Sequence, residues 1–188
     1  MTASARLTRE DWLETGLRLL GVSGERALTI DCLCQTTGRT KGSFYHHFHS
    51  HDDFINALLE YWQSEYTDRI IAVVNQLGHP IAQRRELDRL AASIDSHVEK
   101  AIRNWSGVDE RVRQILKQVD DKRIKYLASL IAELGQVDET TAFELAIIEY
   151  STFLGLQYLF PNTDSDWMEH LITRVTQIIS SYCCNRRE

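Results

Sequence analysis

The side chains best suited to chemistry in this sequence are concentrated between Arg39 and His51. They are basic, hydroxyl and imidazole groups, which donate hydrogen bonds to phosphates and to the edges of bases. No Ser/His/Asp arrangement, phosphate-binding loop or metalloprotease spacing accompanies them in the sequence. These residue types therefore predict binding rather than catalysis, and we expect the protein not to be an enzyme.

Two short helices joined by a tight turn are predicted to position these side chains. Thr29 and Thr40 are suitable N-caps, and Gly38 between them tolerates the left-handed conformation that ends a helix. Phe44 and Phe48 are four residues apart and therefore share the inward face of the second helix. Its opposite face carries small and polar side chains: Gly42, Ser43 and His46, flanked by Tyr45 and His47. This pattern is typical of a helix-turn-helix, whose second helix approaches the major groove of DNA.

The stretch from Leu28 to Leu58 resembles the N-terminal signature of the TetR family of transcriptional regulators. The matching positions are Thr29, Ile30, Leu33, Gly38, Lys41, Gly42, Ser43, Tyr45, Phe48, Ser50 and Phe54. Four positions depart from the pattern: Cys34 and Thr37 replace alanines, Arg39 replaces an apolar turn residue, and His51 replaces the lysine that anchors backbone phosphate.

The resemblance implies an all-α protein with two parts. Residues 1–51 would form a three-helix DNA-binding domain with the helix-turn-helix, and residues 52–188 a helical bundle for ligand binding and dimerisation. It further implies a homodimeric repressor, without a cofactor, that a small-molecule inducer releases from a palindromic operator in double-stranded DNA. Two alternatives without a DNA role remain open: a ligand-binding helical bundle, and a helical adaptor that binds another protein.

The same resemblance implies the residues that contact DNA: Thr29, Arg39, Thr40, Lys41, Gly42, Ser43, Tyr45, His46, His47 and His51. The side chains of the second helix would meet bases or phosphates, whereas His47, His51 and Thr29 would meet phosphates. Arg39 would bind either a guanine edge or a phosphate, and both remain open. Asp31 would repel phosphate, so we expect it to point away from the DNA.

The charge of the chain limits how it binds DNA. The formal net charge is −6, and residues 1–60 carry 6 Lys and Arg against 8 Asp and Glu, so even the helix-turn-helix part is not basic. Contact with DNA must then come from a local patch and be sensitive to salt. Because imidazoles titrate near ~6.5, we also expect His46, His47 and His51 to tighten binding at lower pH.

Apolar residues recur at helical spacing through the rest of the chain, and no stretch alternates as a strand would. One predicted helix has the stripe Leu87, Leu90, Ile94, Val98, Ala101 and Trp105, and a later one ends at Gly135 as its C-cap. From Thr141 to Phe160 the apolar residues cover more than the ~100° stripe of a one-sided helix. Such a helix needs a second partner, so we expect the last two helices to pair with their copies in a homodimer.

Large amphipathic side chains on the central helices are candidate lining residues of the ligand cavity that the resemblance implies: Trp62, Tyr66, His97, Trp105, Tyr126 and Tyr158. Ordinary core packing explains each of them equally well. The helix that begins at Asp52 is the expected lever through which a bound ligand re-angles the recognition helices.

The histidines and carboxylates from His46 to Asp53 have the short spacing of zinc or nickel ligands. A helix end spreads such side chains around its axis, so we expect no metal site. The four cysteines lack zinc-ribbon or disulfide-framework spacing: Cys32 and Cys34 are expected in the core, while a disulfide across the dimer at Cys183 or Cys184 remains open.

The sequence also predicts the compartment. No apolar run approaches the ~20 residues that a membrane helix needs. The N-terminal residues lack the apolar core of a secretory signal. We therefore expect a cytoplasmic protein without a membrane partner.

Overall fold

The regular structure of the described residues is helical, which confirms the predicted all-α class. A computed structural model describes residues 7–160 and 164–185. The α-helices are, in chain order, α1 (Arg9–Ser23), α2 (Ile30–Thr37), α3 (Lys41–Tyr45), α4 (His51–Gln63), α5 (Arg69–Asn75), α6 (Pro80–Ala92), α7 (Ser96–Ser106), α8 (Glu110–Gly135), α9 (Glu139–Leu159) and α10 (Ser165–Asn185). A 3-10 helix (Glu25–Ala27) precedes α2, and a π-helix (Ser64–Asp68) joins α4 to α5. Among these helices, none combines the length and the apolar character required to cross a membrane.

Hydroxyl side chains set where the first helices begin. Thr8, Thr29, Thr40 and Ser50 each accept a hydrogen bond from the backbone N–H three residues further on. The first N–H groups of a helix have no intrahelical acceptor, so each cap satisfies a group that would otherwise stay unpaired. The two threonine caps predicted from the sequence, Thr29 and Thr40, are confirmed.

The described chain divides into two compact units. The first comprises the residues up to Ser64 together with His97–Leu116, and the second comprises Glu65–Ser96 together with the residues from Lys117 onward. The whole of α4 therefore belongs to the first unit, together with most of α7 and the start of α8.

Aromatic side chains form the core of the first unit. The ring of Phe44 lies 5.6 Å from that of Trp12 and 5.5 Å from that of Phe54, and the rings of Phe48 and Phe54 are 5.1 Å apart. All four side chains are at most 1% exposed. A helix as short as α3 is not stable by itself in water. Its aromatic side chains, packed against α1 and α4, therefore hold it in place.

The helix α4 is buried in the first unit along its whole length. Phe54, Leu58 and Trp62 recur every four residues along α4, and all three are fully buried. At Gly16 of α1, an added Cβ would lie 2.7 Å from Cζ of Phe54 and 3.0 Å from Cδ1 of Leu58. The two helices approach so closely at this point that only glycine fits without displacing a neighbour.

One helix predicted from apolar spacing is two helices in the structure. The stripe from Leu87 to Trp105 predicted a continuous helix, but α6 ends at Ala92 and α7 begins at Ser96. The hydroxyl of Ser93 donates to the carbonyl of Leu90 at 2.7 Å, a local bond that competes with continued helix formation. The apolar spacing persists across the break, so periodicity alone did not reveal it.

The end of α8 also differs from the prediction. Gly135 was expected to be the left-handed C-cap, but the left-handed residue is Gln136, with a φ of 49°. Gly135 is the last helical residue, and a Cβ there would lie 2.9 Å from Sγ of Cys183. The glycine is required by the close approach of α10 rather than by the backbone conformation.

The second unit has its own apolar core, built from α8, α9 and α10. Its central members are Leu127, Ile131, Ala142, Ala146 and Ile179. In addition, α10 packs on α6, and α6 packs on α5. These contacts bring together the helices that surround the cavity described below.

We expect Gly16→Ala to lower the free energy of unfolding by about 1–3 kcal/mol, because its methyl group would overpack the contact with Phe54 and Leu58. Urea denaturation followed by circular dichroism measures the change. Gly155→Ala in α9 is the control, since no heavy atom lies within 4 Å of the added Cβ. That variant should be neutral or stabilised by about 0.5–1 kcal/mol. Equal stability of Gly16→Ala and the wild type would contradict the close approach.

Candidate nucleic-acid interface and ligand cavity

The turn between α2 and α3 has the geometry of a helix-turn-helix. Gly38 adopts the left-handed conformation, with φ 64° and ψ 31°, as the sequence predicts. The backbone N–H of Arg39 donates to the carbonyl of Cys34 at 3.0 Å and closes the end of α2. The side chain of Arg39 is half-buried. Thr40 then starts α3 with its capping hydroxyl.

The outer face of α3 carries exposed donors. Lys41, Gly42, Tyr45 and His46 are exposed, and Ser43 is half-buried. Tyr45 is 52% exposed, and its ring stands edge-on to the buried ring of Phe44 at a centroid distance of 5.5 Å. The phenol is thus anchored at its base while its hydroxyl is presented to solvent.

Asp31, which was expected to point away from the DNA, lies against Lys41 at the start of α3. Its Oδ1 is 2.6 Å from Nζ of Lys41, and both side chains are largely exposed. The hydrogen bond and the charge of Asp31 raise the pKa of Lys41. A single turn of α2 and the start of α3 therefore present an ion pair rather than an isolated cation.

Two of the predicted phosphate contacts are already engaged within the first unit. Nε2 of His51 donates to the backbone carbonyl of Leu28, which ties the start of α4 to the residue before Thr29. The backbone N–H of Thr29 donates to the carbonyl of Ala27 at 2.8 Å, and its hydroxyl oxygen caps α2. The groups of these two residues that remain available to a ligand are the hydroxyl proton of Thr29 and Nδ1 of His51.

The remaining histidines of the run point in different directions. The rings of His46 and His47 are 5.0 Å apart and nearly perpendicular. His47 is half-buried, and its Nε2 is enclosed without a hydrogen-bond partner among the described residues. Within the described ranges, no three His, Cys, Asp or Glu side chains converge as metal ligands would.

The cysteines are separate thiols. Cys34 and Cys183 are buried, Cys32 is half-buried and Cys184 is exposed. Burial raises the pKa of Cys34, so this thiol is less reactive than an exposed one. Cys34 is thus a core residue as expected, while Cys32 lies at the edge of the core.

The second unit contains a cavity of about 770 Å³, including its open mouth. Most of the lining is apolar and comes from α5, α6, α8, α9, α10 and the segment after α6: Ile70, Ile71, Leu87, Ala91, Ile94, Leu127, Phe153, Leu156, Ile172 and Val175. Tyr66, Tyr126 and Tyr150 add aromatic walls. A concave, mainly apolar site with a few polar groups is the usual form of a small-molecule binding site.

A buried polar cluster lies at the cavity wall. Nε of Arg84 donates to Oδ1 of Asp88 at 3.1 Å, and its Nη2 donates to Oε1 of Glu149. The hydroxyl of Thr176 lies 2.6 Å from Nη2 of Arg84 and 3.2 Å from Oδ2 of Asp88. Burial raises the pKa of Asp88, and the charge of Arg84 opposes that rise.

A second arginine on the cavity wall is held by other groups. Arg123 donates to the hydroxyl of Thr67 at 2.9 Å, to the carbonyl of Tyr66 at 3.1 Å and to the phenol oxygen of Tyr150 at 3.2 Å. Tyr150 in turn donates to Oδ1 of Asp120 at 2.7 Å. This guanidinium therefore supports the wall of the cavity.

Solved structures of transcriptional regulators are similar to this chain. A TetR/AcrR-family regulator gives a TM-score of 0.76 at 21% identity, over 92% of this chain and 97% of its own. A regulator from Saccharomonospora viridis in complex with choline gives 0.74 at 20% identity, over 90% and 95%. A TetR-family regulator from Streptomyces coelicolor gives 0.73 at 16% identity, over 93% and 89%. The fold is that of the TetR/AcrR regulators.

No family model and no curated protein matches the sequence. The solved structures confirm the predicted resemblance to the TetR family at the level of the fold. The sequence identities to these structures are only 16–21%, so the similarity concerns the fold.

Of the six residues expected to line the ligand cavity, Tyr66 and Tyr126 do so. Trp62, His97 and Trp105 belong to the first unit and lie outside the lining of this cavity. The indole of Trp62 instead donates to Oε1 of the buried Glu99 at 3.1 Å.

Tyr158 is 47% exposed and also lies outside the lining of this cavity. The hydroxyl of Tyr126 donates to Asn75 at 2.8 Å, and burial raises its pKa. Sequence reasoning missed the polar cluster of Arg84, Asp88 and Glu149. A usable signal was present, because Glu149 is a carboxylate in an otherwise apolar stretch, and such a residue is seldom buried without a partner.

The raised pKa of Asp88 predicts a pH-dependent contribution to stability. An acid whose folded pKa exceeds the unfolded value of ~3.9 stabilises the fold fully below that value, and this stability is lost as the pH rises through the folded pKa. Asp88→Asn cannot ionise and keeps an acceptor for Arg84. We therefore expect the unfolding free energy of Asp88→Asn to improve relative to the wild type between about pH 4 and about pH 7.

Urea denaturation across this pH range measures the difference. Asp121→Asn is the matched control, because Asp121 is an exposed aspartate of α8 in the same unit. An Asp88→Asn difference that does not change with pH would contradict the assignment.

Proposed function

We propose that this protein is a sequence-specific DNA-binding transcriptional regulator, a homodimeric repressor that a small molecule releases from a palindromic operator. The observation that carries the proposal is the outer face of α3. It follows a left-handed glycine and presents lysine, tyrosine and imidazole donors above an aromatic core. Transcriptional regulators with the same fold support it.

The geometry of Gly42 favours close approach by another molecule. A Cβ at this position would meet only the hydroxyl of Thr40, at 3.7 Å, so packing within the protein does not require glycine there. Next to it, Lys41, Tyr45 and His46 are exposed. The backbone at Gly42 is therefore uncovered, and three hydrogen-bond donors surround it. Such a surface suits contact with base edges and phosphates.

Other predicted residues fit contacts to the DNA backbone. Phosphate contacts position a protein on the duplex without reading its sequence. We assign to this group the side chains at the helix starts and in the adjacent turns: Thr29, Arg39, Thr40, Ser43, His47 and His51. Because Nε2 of His51 is bonded to Leu28, only its Nδ1 remains for a phosphate.

Pairing into a homodimer follows from the exposed apolar residues of α9 and α10. The exposed side chains are Phe143, Ile147, Ile148, Tyr158, Leu159, Trp167, Ile178 and Tyr182. So many large apolar side chains exposed on two helices mark an interaction surface. A second copy is the occupant that also explains a palindromic operator, because two recognition helices related by a two-fold axis read two half-sites.

The cavity of the second unit supports control by a small molecule. Its mainly apolar lining with a few polar groups is that of a ligand site, and one regulator of the same fold is in complex with choline. A ligand that prefers a conformation with wrongly spaced recognition helices would lower operator affinity. The helix α8 contributes residues to both units, and the segment from α4 to α5 also runs from one unit into the other. Both connections could transmit the effect of a bound ligand.

Substitutions on α3 test the DNA role. Operator fragments are first selected from fragmented genomic DNA by repeated gel-shift enrichment with the wild-type protein. Lys41→Ala, Tyr45→Ala and Arg39→Ala should each weaken binding to the selected fragment by about 1–3 kcal/mol. Asp31→Asn should act in the opposite direction, because Lys41 loses its counter-ion.

Lys125→Ala, which removes an exposed lysine of the second unit, is the matched control and should bind like the wild type. Failure to enrich any fragment over nonspecific DNA would favour the alternatives, a ligand-binding bundle or an adaptor without a DNA role. Unchanged affinity in all three alanine variants would remove α3 from the interface.

Charged substitutions test the dimer. Ile148→Glu and Ile178→Glu place a carboxylate on exposed apolar positions of α9 and α10, so we expect both to shift the mass from dimer to monomer at micromolar concentration. Multi-angle light scattering measures the mass. Val108→Glu, at a 78% exposed position of the first unit, should leave the dimer intact. A monomeric wild-type protein would overturn this part of the proposal.

A further inference from the structure

The polar cluster at the cavity wall contains more negative than positive charge. One guanidinium, that of Arg84, faces the two carboxylates of Asp88 and Glu149. All three residues are at most 6% exposed. Because buried charges are costly unless they are paired, a second cation at this wall would be stabilised.

One carboxylate oxygen is left unpaired. Both oxygens of Asp88 have a partner, in Arg84 and Thr176. Glu149 uses Oε1 for Arg84, whereas its Oε2 is buried without a hydrogen-bond partner among the described residues. Glu149 is a lining residue of the cavity. A hydrogen bond from a ligand to such an unpaired, buried acceptor would contribute more binding free energy than one to an acceptor that already has a partner.

The second arginine does not change this balance. Arg123 already donates to a hydroxyl, a carbonyl and a phenol. The phenol is that of Tyr150, which is also bonded to the carboxylate of Asp120. The lining holds two guanidinium groups and two carboxyl groups, and Asp120 behind Tyr150 adds a third, which gives a surplus of one negative charge when all three acids are ionised.

The rest of the wall suits an apolar body with aromatic character. Tyr66, Tyr126, Tyr150 and Phe153 line the cavity together with aliphatic residues of five helices. Aromatic faces attract organic cations, and more strongly where water is excluded.

We propose that the cavity binds a hydrophobic amine in its protonated form, with the ammonium donating to Oε2 of Glu149 and the apolar part lying against the tyrosines and Phe153. The inference deepens the proposed function, on which it rests for the regulatory consequence of binding. It names the charge of the ligand and the acceptor that recognises it. An anionic ligand of the same shape would meet Glu149 and Asp88 and be repelled.

A matched probe series tests the charge preference on the wild-type protein in the absence of DNA. The probes are 1-naphthylmethylamine, 1-naphthalenemethanol and 1-naphthoate, and binding is measured by isothermal titration calorimetry at neutral pH. We expect the amine to bind roughly ten- to a hundred-fold more tightly than the alcohol, and the carboxylate to bind least. Equal or tighter binding of the carboxylate, or no binding of the amine, would overturn the proposal.

A fourth probe, the N,N,N-trimethyl derivative of the amine, tests the hydrogen bond. It keeps the positive charge but has no N–H to donate, so it should bind more weakly than the amine. Equal affinity of the two cations would contradict donation to Oε2 of Glu149.

The variant Glu149→Gln keeps the shape of the side chain and removes its charge. It should lose most of the preference for the amine over the alcohol while still binding the alcohol. Glu144→Gln, an exposed glutamate of the same helix, is the matched control and should retain the preference. A Glu149→Gln protein that keeps the full preference would refute the assigned acceptor. Should this variant not fold, the four probes on the wild type still decide the matter.

The two proposals fail separately. The probe series is independent of DNA, and the fragment enrichment is independent of ligand. Sequence-specific DNA binding without amine binding would overturn only the ligand class. Amine binding without any enriched fragment would overturn the DNA role and leave the cavity assignment in place.

Discussion

The packing of α3 on the aromatic core is the constraint on which the candidate interface depends. A five-residue helix cannot hold its own shape in water. Phe44 and Phe48 supply the missing stability by packing against Trp12 and Phe54. The close approach of α1 and α4 at Gly16 keeps that core dense. The orientation of Tyr45 follows from it, because its ring rests on Phe44 while its hydroxyl faces solvent.

The parts of the fold that local chemistry decides were predictable from the sequence. Thr29, Gly38 and Thr40 define a cap, a left-handed turn and a second cap within twelve residues, and each depends only on its immediate neighbours. The break between α6 and α7 was missed because the apolar spacing continues across it. Gly135 was misassigned for a related reason: its role depends on Cys183, which is distant in sequence.

The side chains of the cavity could be predicted only in part, because lining a cavity is a tertiary property. Tyr66 and Trp62 are both large aromatic residues and lie four positions apart. Residue type alone therefore does not show which of the two lines the cavity. The structure places Tyr66 at the cavity and seals Trp62 against Glu99 in the first unit. Glu149 was the better signal, because a carboxylate flanked by apolar residues is seldom buried without a partner, and the local sequence contains none for it.

Negative charge has opposite consequences at the two sites. Beside α3, Asp31 neutralises Lys41 and lowers the electrostatic attraction to any phosphate, which weakens binding to all sequences alike. In the proposed complex, contacts from Tyr45 and His46 to bases would be unaffected, so the ratio of specific to nonspecific affinity would rise even as total affinity falls. In the cavity the surplus carboxylate is buried, where water does not screen it. In the two proposals, the same kind of charge would limit nonspecific DNA binding at the surface and select the ligand in the cavity.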